Sequence, residues 1–273
     1  MRESENARDY LEALGRSGEA PFDIAEAALL LASLDHPGLP LEPFRAHLDE
    51  LAGAVRTEQA LMRSIDEAAR ALANIFCGHF GYDGDRVTYN DERNADLISV
   101  IERRRGMPVA LGILYMHAAR AAQLPASGLD APGHFLVLLA RGSAERTIDV
   151  FNGGAMLDSE CAASPPRMGA PGDPHLAQPV SDADVLLRLQ NNLKLRALQR
   201  HDQVRGLEIA KRMVLIGPRR PELWLDLARL NEAQGVLRDA RKAYESCLTL
   251  AAPGQSVHNE AALALSGLKR RIN

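Results

Sequence analysis

The sequence predicts an α+β chain dominated by helix, with a small antiparallel sheet in its middle and helical repeats at its end. Three observations carry that expectation. Apolar residues recur at the helical period of about 3.6 through the first and last thirds of the chain. A near-continuous apolar run, His134-Phe135-Leu136-Val137-Leu138-Leu139, is followed across the Arg141-Gly142-Ser143 turn by Thr147-Ile148-Asp149-Val150-Phe151, two strand-length segments. The C-terminal segment also matches itself at an offset of 34 residues, Leu193 falling on Leu227 and Met213 on Cys247. Composition agrees. Aromatic residues make up 4% of the 273 while Ala and Leu abound, which favours helices packed through small side chains over a β-sandwich.

The elements follow in order. Asp23 caps a predicted helix with Ile24, Ala27, Ala28, Leu31 and Leu34 on one face, stopped by His36-Pro37-Gly38. A second helix begins after Pro43 and carries Phe44, Leu48, Leu51 and Val55. A third is expected from about Glu58 to Phe76, striped by Leu61, Ile65, Ala68, Leu72 and Ile75. Gly78, Gly81 and Gly84 then mark a loop. Asn94 reads as the cap of a short helix through Leu97, Ile98 and Ile101. Pro108 suits the first turn of the next helix, where its missing N–H would have no partner, and that helix carries Leu111, Leu114, Tyr115 and Ala118.

From residue 155 to 181 prolines crowd among Gly, Ala and Ser, which reads as a linker. The expected organisation is therefore a domain over 1–154, a linker over 155–181, and repeats over 182–273. Within the second repeat, Trp224, Leu227, Ala228, Gly235, Ala240, Tyr244 and Pro253 match the tetratricopeptide pattern. Small residues at 228 and 240 let paired helices approach, and Trp224 and Tyr244 fill the space between them. A last helix with Ala261, Leu265 and Leu268 on one face caps the stack, giving five helices in all.

Charge and cysteine usage exclude several classes. Lys+Arg 32 against Asp+Glu 36 leaves a net charge of −4, unlike a protein that binds phosphate backbone, so no nucleic-acid partner is expected. No apolar run approaches membrane-spanning length and no signal core opens the chain, so no membrane partner and a cytoplasmic location are expected. Cys77, Cys161 and Cys247 are widely spaced without CxxC pairing and read as reduced thiols, with no metal site and no cofactor implied.

The candidate chemistry lies mid-chain. Tyr89-Asn90-Asp91 and Asn94 are followed by Arg105-Gly106-Met107-Pro108, then Pro132-Gly133-His134-Phe135, then Asp149-Val150-Phe151-Asn152-Gly153-Gly154. In that order and spacing these strings resemble the bacterial SirB-type family, which joins a transglutaminase-like domain to C-terminal tetratricopeptide repeats. The resemblance implies a transglutaminase-like core of the papain-like kind. In such enzymes a cysteine at a helix N-terminus is the nucleophile, a histidine on the next strand moves its proton, and an aspartate on the following strand orients the ring. His134 and Asp149 match the last two roles, on strands expected to be adjacent, antiparallel and within hydrogen-bonding reach. The nucleophile position does not match: Gly106-Met107-Pro108 stands where Gly-x-Cys is expected, and proline has no nucleophilic side chain. Cys77, in a Cys-Gly-His string, reads as an inert small hydrophobe, like Cys161 and Cys247.

Each remaining position has two readings. His134 is either a structural strand-start histidine bonded to Asp149 or a proton-transfer group. Tyr89, Asn94 and Asn152 either line a cleft beside it, together with Arg105, Met107 and Pro108, or cap and turn the chain. The Arg103-Arg104-Arg105 run is a solvated helix end or an anion contact. Two functions follow: a catalytically degenerate transglutaminase-like protein that binds a protein or peptide through its helical repeats, or a hydrolase or transferase using His134 and Asp149 without a cysteine. Pro108 tilts the reading away from an enzyme.

Overall fold

The computed structural model describes residues 2–18, 22–131, 133–157 and 178–272. Cys161, Pro132 and the proline-rich stretch over 158–177 fall outside them. The chain divides into two compact units: Met1–Ala7 with Pro21–Leu186, and Arg8–Ala20 with Leu187–Asn273. This differs from the expected boundaries in two ways. Part of the N-terminal helix α1 (Arg2–Ser17) belongs with the repeats. The expected linker contributes two short strands to the first unit. Three-residue strands flanked by breakers have no period to read, because their pairing is set by distant partners.

In the first unit, α2 (Ile24–Ser33) starts at Asp23, whose Oδ1 accepts from the N–H groups of Ala25 and Glu26, both at 3.0 Å. α3 (Glu42–Glu58) has Pro43 in its first turn and buries Phe44, His47, Leu48, Leu51 and Val55. The expected third helix is broken. After a 3-10 turn over Gln59–Leu61, Ser64 caps a new helix, α4 (Ile65–Ala73). Ser64 Oγ accepts from Glu67 N while Glu67 Oε2 accepts from Ser64 N, a capping box that outcompetes continued helix. Leu61, placed on the buried stripe by periodicity, is exposed at this break. α4 runs into a π-helical turn over Asn74–His79.

The loop expected around Gly78–Gly84 ends in a two-residue strand, β1 (Asp83–Gly84), paired in parallel with β2 (Arg105–Gly106). Between them α5 (Leu97–Arg103) is capped by Asp96, whose Oδ1 accepts from Ser99 N at 2.7 Å. The expected cap, Asn94, is instead wholly buried in the preceding 3-10 turn, where its amide has other partners. α6 (Pro108–Ala121) follows, with proline at its first position as expected.

The sheet is antiparallel throughout, in the order β6-β5-β4-β3-β7. Its strands are β3 (Ala126–Ala131), β4 (His134–Arg141), β5 (Ala144–Asp149), β6 (Ala155–Leu157) and β7 (Gln178–Val180). The expected strand over 147–151 stops at Asp149, because the Asp149 side chain caps a 3-10 turn over Val150–Asn152. α6 packs across β3 and β4. Two missing Cβ atoms permit the approach. A Cβ on Gly112 of α6 would stand 2.4 Å from Phe135 Cε1, and one on Gly128 of β3 would stand 2.6 Å from Phe135 Cζ. The buried Phe135 ring fills the space both glycines leave.

The second unit contains the five expected helices: α7 (Asp182–Gln199), α8 (Gln203–Ile216), α9 (Pro221–Ala233), α10 (Leu237–Leu250) and α11 (Ser256–Ile272), with the unit boundary inside α7. Ala228 and Ala240 are fully buried in a core with Tyr244, Cys247, Ala261, Leu265 and Leu268. Trp224 Nε1 donates to Pro218 O at 2.8 Å, and Tyr244 Oη donates to Glu232 Oε2 at 2.8 Å, so both large aromatics satisfy their polar ends. The part of α1 in this unit brings Gly15 against Leu215 O, which a Cβ would meet at 2.0 Å.

Overpacking the glycine contact is expected to destabilise the first unit. Gly112→Val should cost about 1–3 kcal/mol by denaturant unfolding. Adding Phe135→Leu should make the double variant less destabilised than the sum of the single ones. Strict additivity would mean that Phe135 does not set the helix–sheet distance.

Candidate functional site

The Asp149-Val150-Phe151-Asn152-Gly153-Gly154 turn is built around one carboxylate. Asp149 Oδ1 accepts from Phe151 N and Asn152 N, each at 3.1 Å, and Oδ2 accepts from Asn152 Nδ2 at 2.7 Å. Gly153 and Gly154, with φ of 70° and 73°, take the left-handed conformation that returns the chain into β6. Asp149 ends β5 and His134 begins β4; with Val137 opposite Ile148, the two are near neighbours across the ladder. His134 Nε2 lies 2.9 Å from Asp149 Oδ2, with the two side chains only 15% and 10% exposed. Burial alone would raise the Asp149 pKa, but the hydrogen bonds from His134 and Asn152 outweigh it and hold the carboxyl below its ordinary 3.8.

Phe151 joins this pair to the loop after β1. Its ring meets the His134 ring edge-on at 6.2 Å and the Tyr89 ring edge-on at 5.8 Å, and Arg86 lies over it at 5.1 Å. Arg86 Nη2 donates to Phe151 O at 2.8 Å and to Asn152 Oδ1 at 3.0 Å. Gly84 lies so close that a Cβ would be 2.5 Å from the Phe151 ring. His134, Asp149, Asn152 and Tyr89, four of the positions read from the sequence, are therefore brought together around Phe151.

The other expected positions lie elsewhere. Asn94 is fully buried, and its side chain ties Arg103 to the loop: Arg103 Nη1 donates to Asn94 Oδ1 at 3.0 Å, and Asn94 Nδ2 donates to Thr88 O at 2.7 Å. Its backbone carbonyl accepts from Met107 N at 2.9 Å, fixing the start of α6. Arg105 is exposed and donates to Gly81 O and Arg104 O at 2.7 and 2.8 Å. Met107 and Pro108 are buried core side chains, not the wall of an open cleft. A cleft of about 660 Å³ in the first unit is lined by residues of α3, the 3-10 turn after it, α4 and the π turn, among them Leu61, Arg70 and His79.

Residues that the sequence reading missed brace the site. Asp85 accepts from Val87 N, Thr88 N and Thr88 Oγ1, and from Arg103 Nη2 at 2.7 Å. Against its burial, these bonds from Thr88 and Arg103, with Asn94 contributing, drive its pKa far below the ordinary carboxylate value. An Asp followed by Thr three residues on, inside a glycine-broken stretch, was the readable sign of this turn. Its partner Arg103 was hidden in a run that reads as solvated. Cys77 sits in the π turn with Sγ 3.6 Å from Tyr115 Oη. Burial pushes its thiol pKa up, outweighing the Tyr115 hydrogen bond, which disfavours the reactive thiolate. Among the described residues no group of His, Cys, Asp and Glu side chains could hold a metal ion.

Comparison with known proteins agrees with this architecture. The profile of the transglutaminase-like superfamily matches residues 42–191, more than half of the chain, and that of the tetratricopeptide repeat matches residues 193–266. A UPF0162 protein of Xylella fastidiosa strain 9a5c is 30% identical over 210 residues, 74% of this chain and 75% of that protein. One from strain Temecula1 is 29% identical over 230 residues, 80% of this chain and 82% of the relative. Another, from Vibrio cholerae, is 36% identical over 136 residues, 48% of this chain and 49% of that protein. The chain belongs to the transglutaminase-like superfamily and to the UPF0162 proteins. Its transglutaminase-like domain is followed by a tetratricopeptide-like region, and among the described residues no helix is long and apolar enough to cross a membrane.

Asp85→Asn is expected to destabilise the protein by about 3 kcal/mol at neutral pH, since it strips Arg103 of a buried partner. The pH dependence follows in sign. Asp85 and Asp149 both have folded-state pKa values below 3.8, so their stabilisation is complete above that value and is lost as pH falls through the folded values. Urea titrations at falling pH should show a shallower acid limb for Asp85→Asn than for the parent; equal slopes would refute the assignment.

Proposed function

We propose that this chain is a SirB-type protein whose transglutaminase-like domain is catalytically degenerate and which serves as a protein- or peptide-binding regulatory module, engaging its partner through the helical repeats in the cytoplasm. One observation carries the reading: Pro108, a buried residue in the first turn of α6, occupies the position where the resemblance expects the nucleophilic cysteine. Three further points support it. Cys77 is held by Tyr115 in surroundings that raise its thiol pKa. Cys247 is a fully buried core residue of the repeats. Tetratricopeptide-like repeats generally mediate protein–protein contacts, and this region is matched over residues 193–266. On this reading His134 and Asp149 are a retained structural pair, and no cofactor or metal is needed.

The test is enzymatic. Purified full-length protein, assayed for amine incorporation into a glutamine peptide and for casein hydrolysis, should give background rates. Replacing Cys77, Cys161 and Cys247 together by Ala should leave those rates at background. Turnover abolished by alkylation of Cys77 alone would overturn the reading in favour of a cysteine enzyme. Turnover that survives the triple replacement but is lost in His134→Ala would make the His134–Asp149 pair a water- or substrate-activating site.

A further inference from the structure

Arg104, at the C-terminal cap of α5, has φ 55° and ψ 27°, a left-handed conformation that non-glycine residues adopt rarely. Its guanidinium shows what holds it there. Nη1 lies 2.5 Å from His47 Nε2 and 2.6 Å from Tyr82 Oη, and the guanidinium stands over the Tyr82 ring at 4.9 Å. His47 Nε2 is also 2.9 Å from Tyr82 Oη, while His47 Nδ1 faces Glu50 Oε2 at 3.2 Å. A guanidinium can only donate, and it stands 2.5 Å from His47 Nε2 but 3.5 Å from Nδ1, which has the Glu50 carboxylate closer; Nε2 is therefore the acceptor and the ring proton sits on Nδ1, toward Glu50. This arrangement requires a neutral imidazole. A proton on Nε2 would face the N–H of Arg104 and add a second positive charge beside it.

The backbone after Arg104 carries the loop beside His134. Arg104 O accepts from Asp83 N and Gly106 O accepts from Asp85 N, both at 3.1 Å, which closes the β1–β2 pair. The loop that leaves β1 carries Arg86 and Tyr89 onto Phe151. We propose that His47 is a pH-sensitive lock: neutral, it seats Arg104 and, through the β1–β2 pair, holds the loop over 85–91 against Phe151 beside His134; protonated, it releases them.

The groups facing His47 make the sign definite. Arg104 approaches from the end of α5, Glu50 from α3 itself, Tyr82 from the segment after the π turn, and the Phe80 ring meets it edge-on at 5.6 Å. Burial, then the charge of Arg104, outweigh Glu50 and lower the His47 pKa below 6.5. Burial pushes the Tyr82 phenol up to about 12, so Tyr82 does not titrate in the same range. Between 6.5 and the folded-state value the released form binds a proton that the locked form does not. Each unit of falling pH should then favour release by up to about tenfold.

Hydrogen exchange of the full-length protein, corrected for intrinsic rate, tests this between about pH 8 and about pH 5. Peptides covering 83–91 and 104–107 should exchange faster as pH falls, by up to about tenfold per unit below about 6.5. The NMR titration of the His47 ring should give a pKa under 6.5. His47→Gln keeps an acceptor for Arg104 that does not titrate, so exchange in those peptides should become flat with pH. If that variant does not fold, Arg104→Gly, which keeps the left-handed turn without the guanidinium, should exchange fast in these peptides at every pH. Wild-type exchange independent of pH, the wild-type slope persisting in either variant, or a His47 pKa at or above 6.5 would each overturn the proposal.

Discussion

The distance between α6 and the sheet sets the geometry of the transglutaminase-like unit. Helix and strands meet where both lack a Cβ, at Gly112 and Gly128, and the Phe135 ring occupies the space so made. Phe135 follows His134 in the chain, so the residue that fixes the helix–sheet spacing also anchors the start of β4. α6 itself is pinned at its first turn by Met107 N donating to Asn94 O, and it begins with a buried proline. A helix N-terminus exposes unpaired N–H groups. Here one of them has a backbone partner and proline removes another. The end of the helix where related chemistry would place a thiolate is thereby occupied by packing.

Polar groups around the site are spent on holding loops. Asp149 receives two backbone N–H groups and the Asn152 amide, with His134 Nε2 2.9 Å from its Oδ2. Asp85 receives two backbone N–H groups, the Thr88 hydroxyl and Arg103. Carboxylates engaged by three or four donors stay ionised and held in place, because those bonds favour the charged form. That suits a surface of fixed shape better than a group that must gain and lose a proton. Arg86 completes the bracing by joining the two turns across Phe151. What is presented next to His134 is an aromatic and guanidinium surface with its loops tied down.

The second unit follows simpler rules. Alanines at the helix contacts, a tryptophan and a tyrosine with satisfied polar ends, and a capping helix account for its core. It also takes in part of α1, where Gly15 lets that helix lie against the carbonyl of Leu215. Contacts between segments two hundred residues apart leave no periodic trace in sequence, and the repeat pattern could not reveal this one.

By itself the sequence determined the helical periods, the Asp23 cap, the proline opening α6, the apolar run of β4 and the five repeat helices. Each depends on neighbours within a few residues, and local spacing encodes such features directly. It also placed His134 and Asp149 on consecutive strands, because a hairpin-length gap brings such residues together. Only the tertiary structure decided that Asn94 is a buried brace instead of a helix cap, that Asp96 caps α5, that Arg103 pairs with Asp85, and that Ala155–Leu157 and Gln178–Val180 are strands. A side chain with several hydrogen-bonding options takes the one that long-range packing leaves open, and a three-residue strand exists only where a distant edge is ready to pair with it. The physical reason is the same in each case: these choices are fixed by partners far along the chain, whose positions exist only once the core has closed.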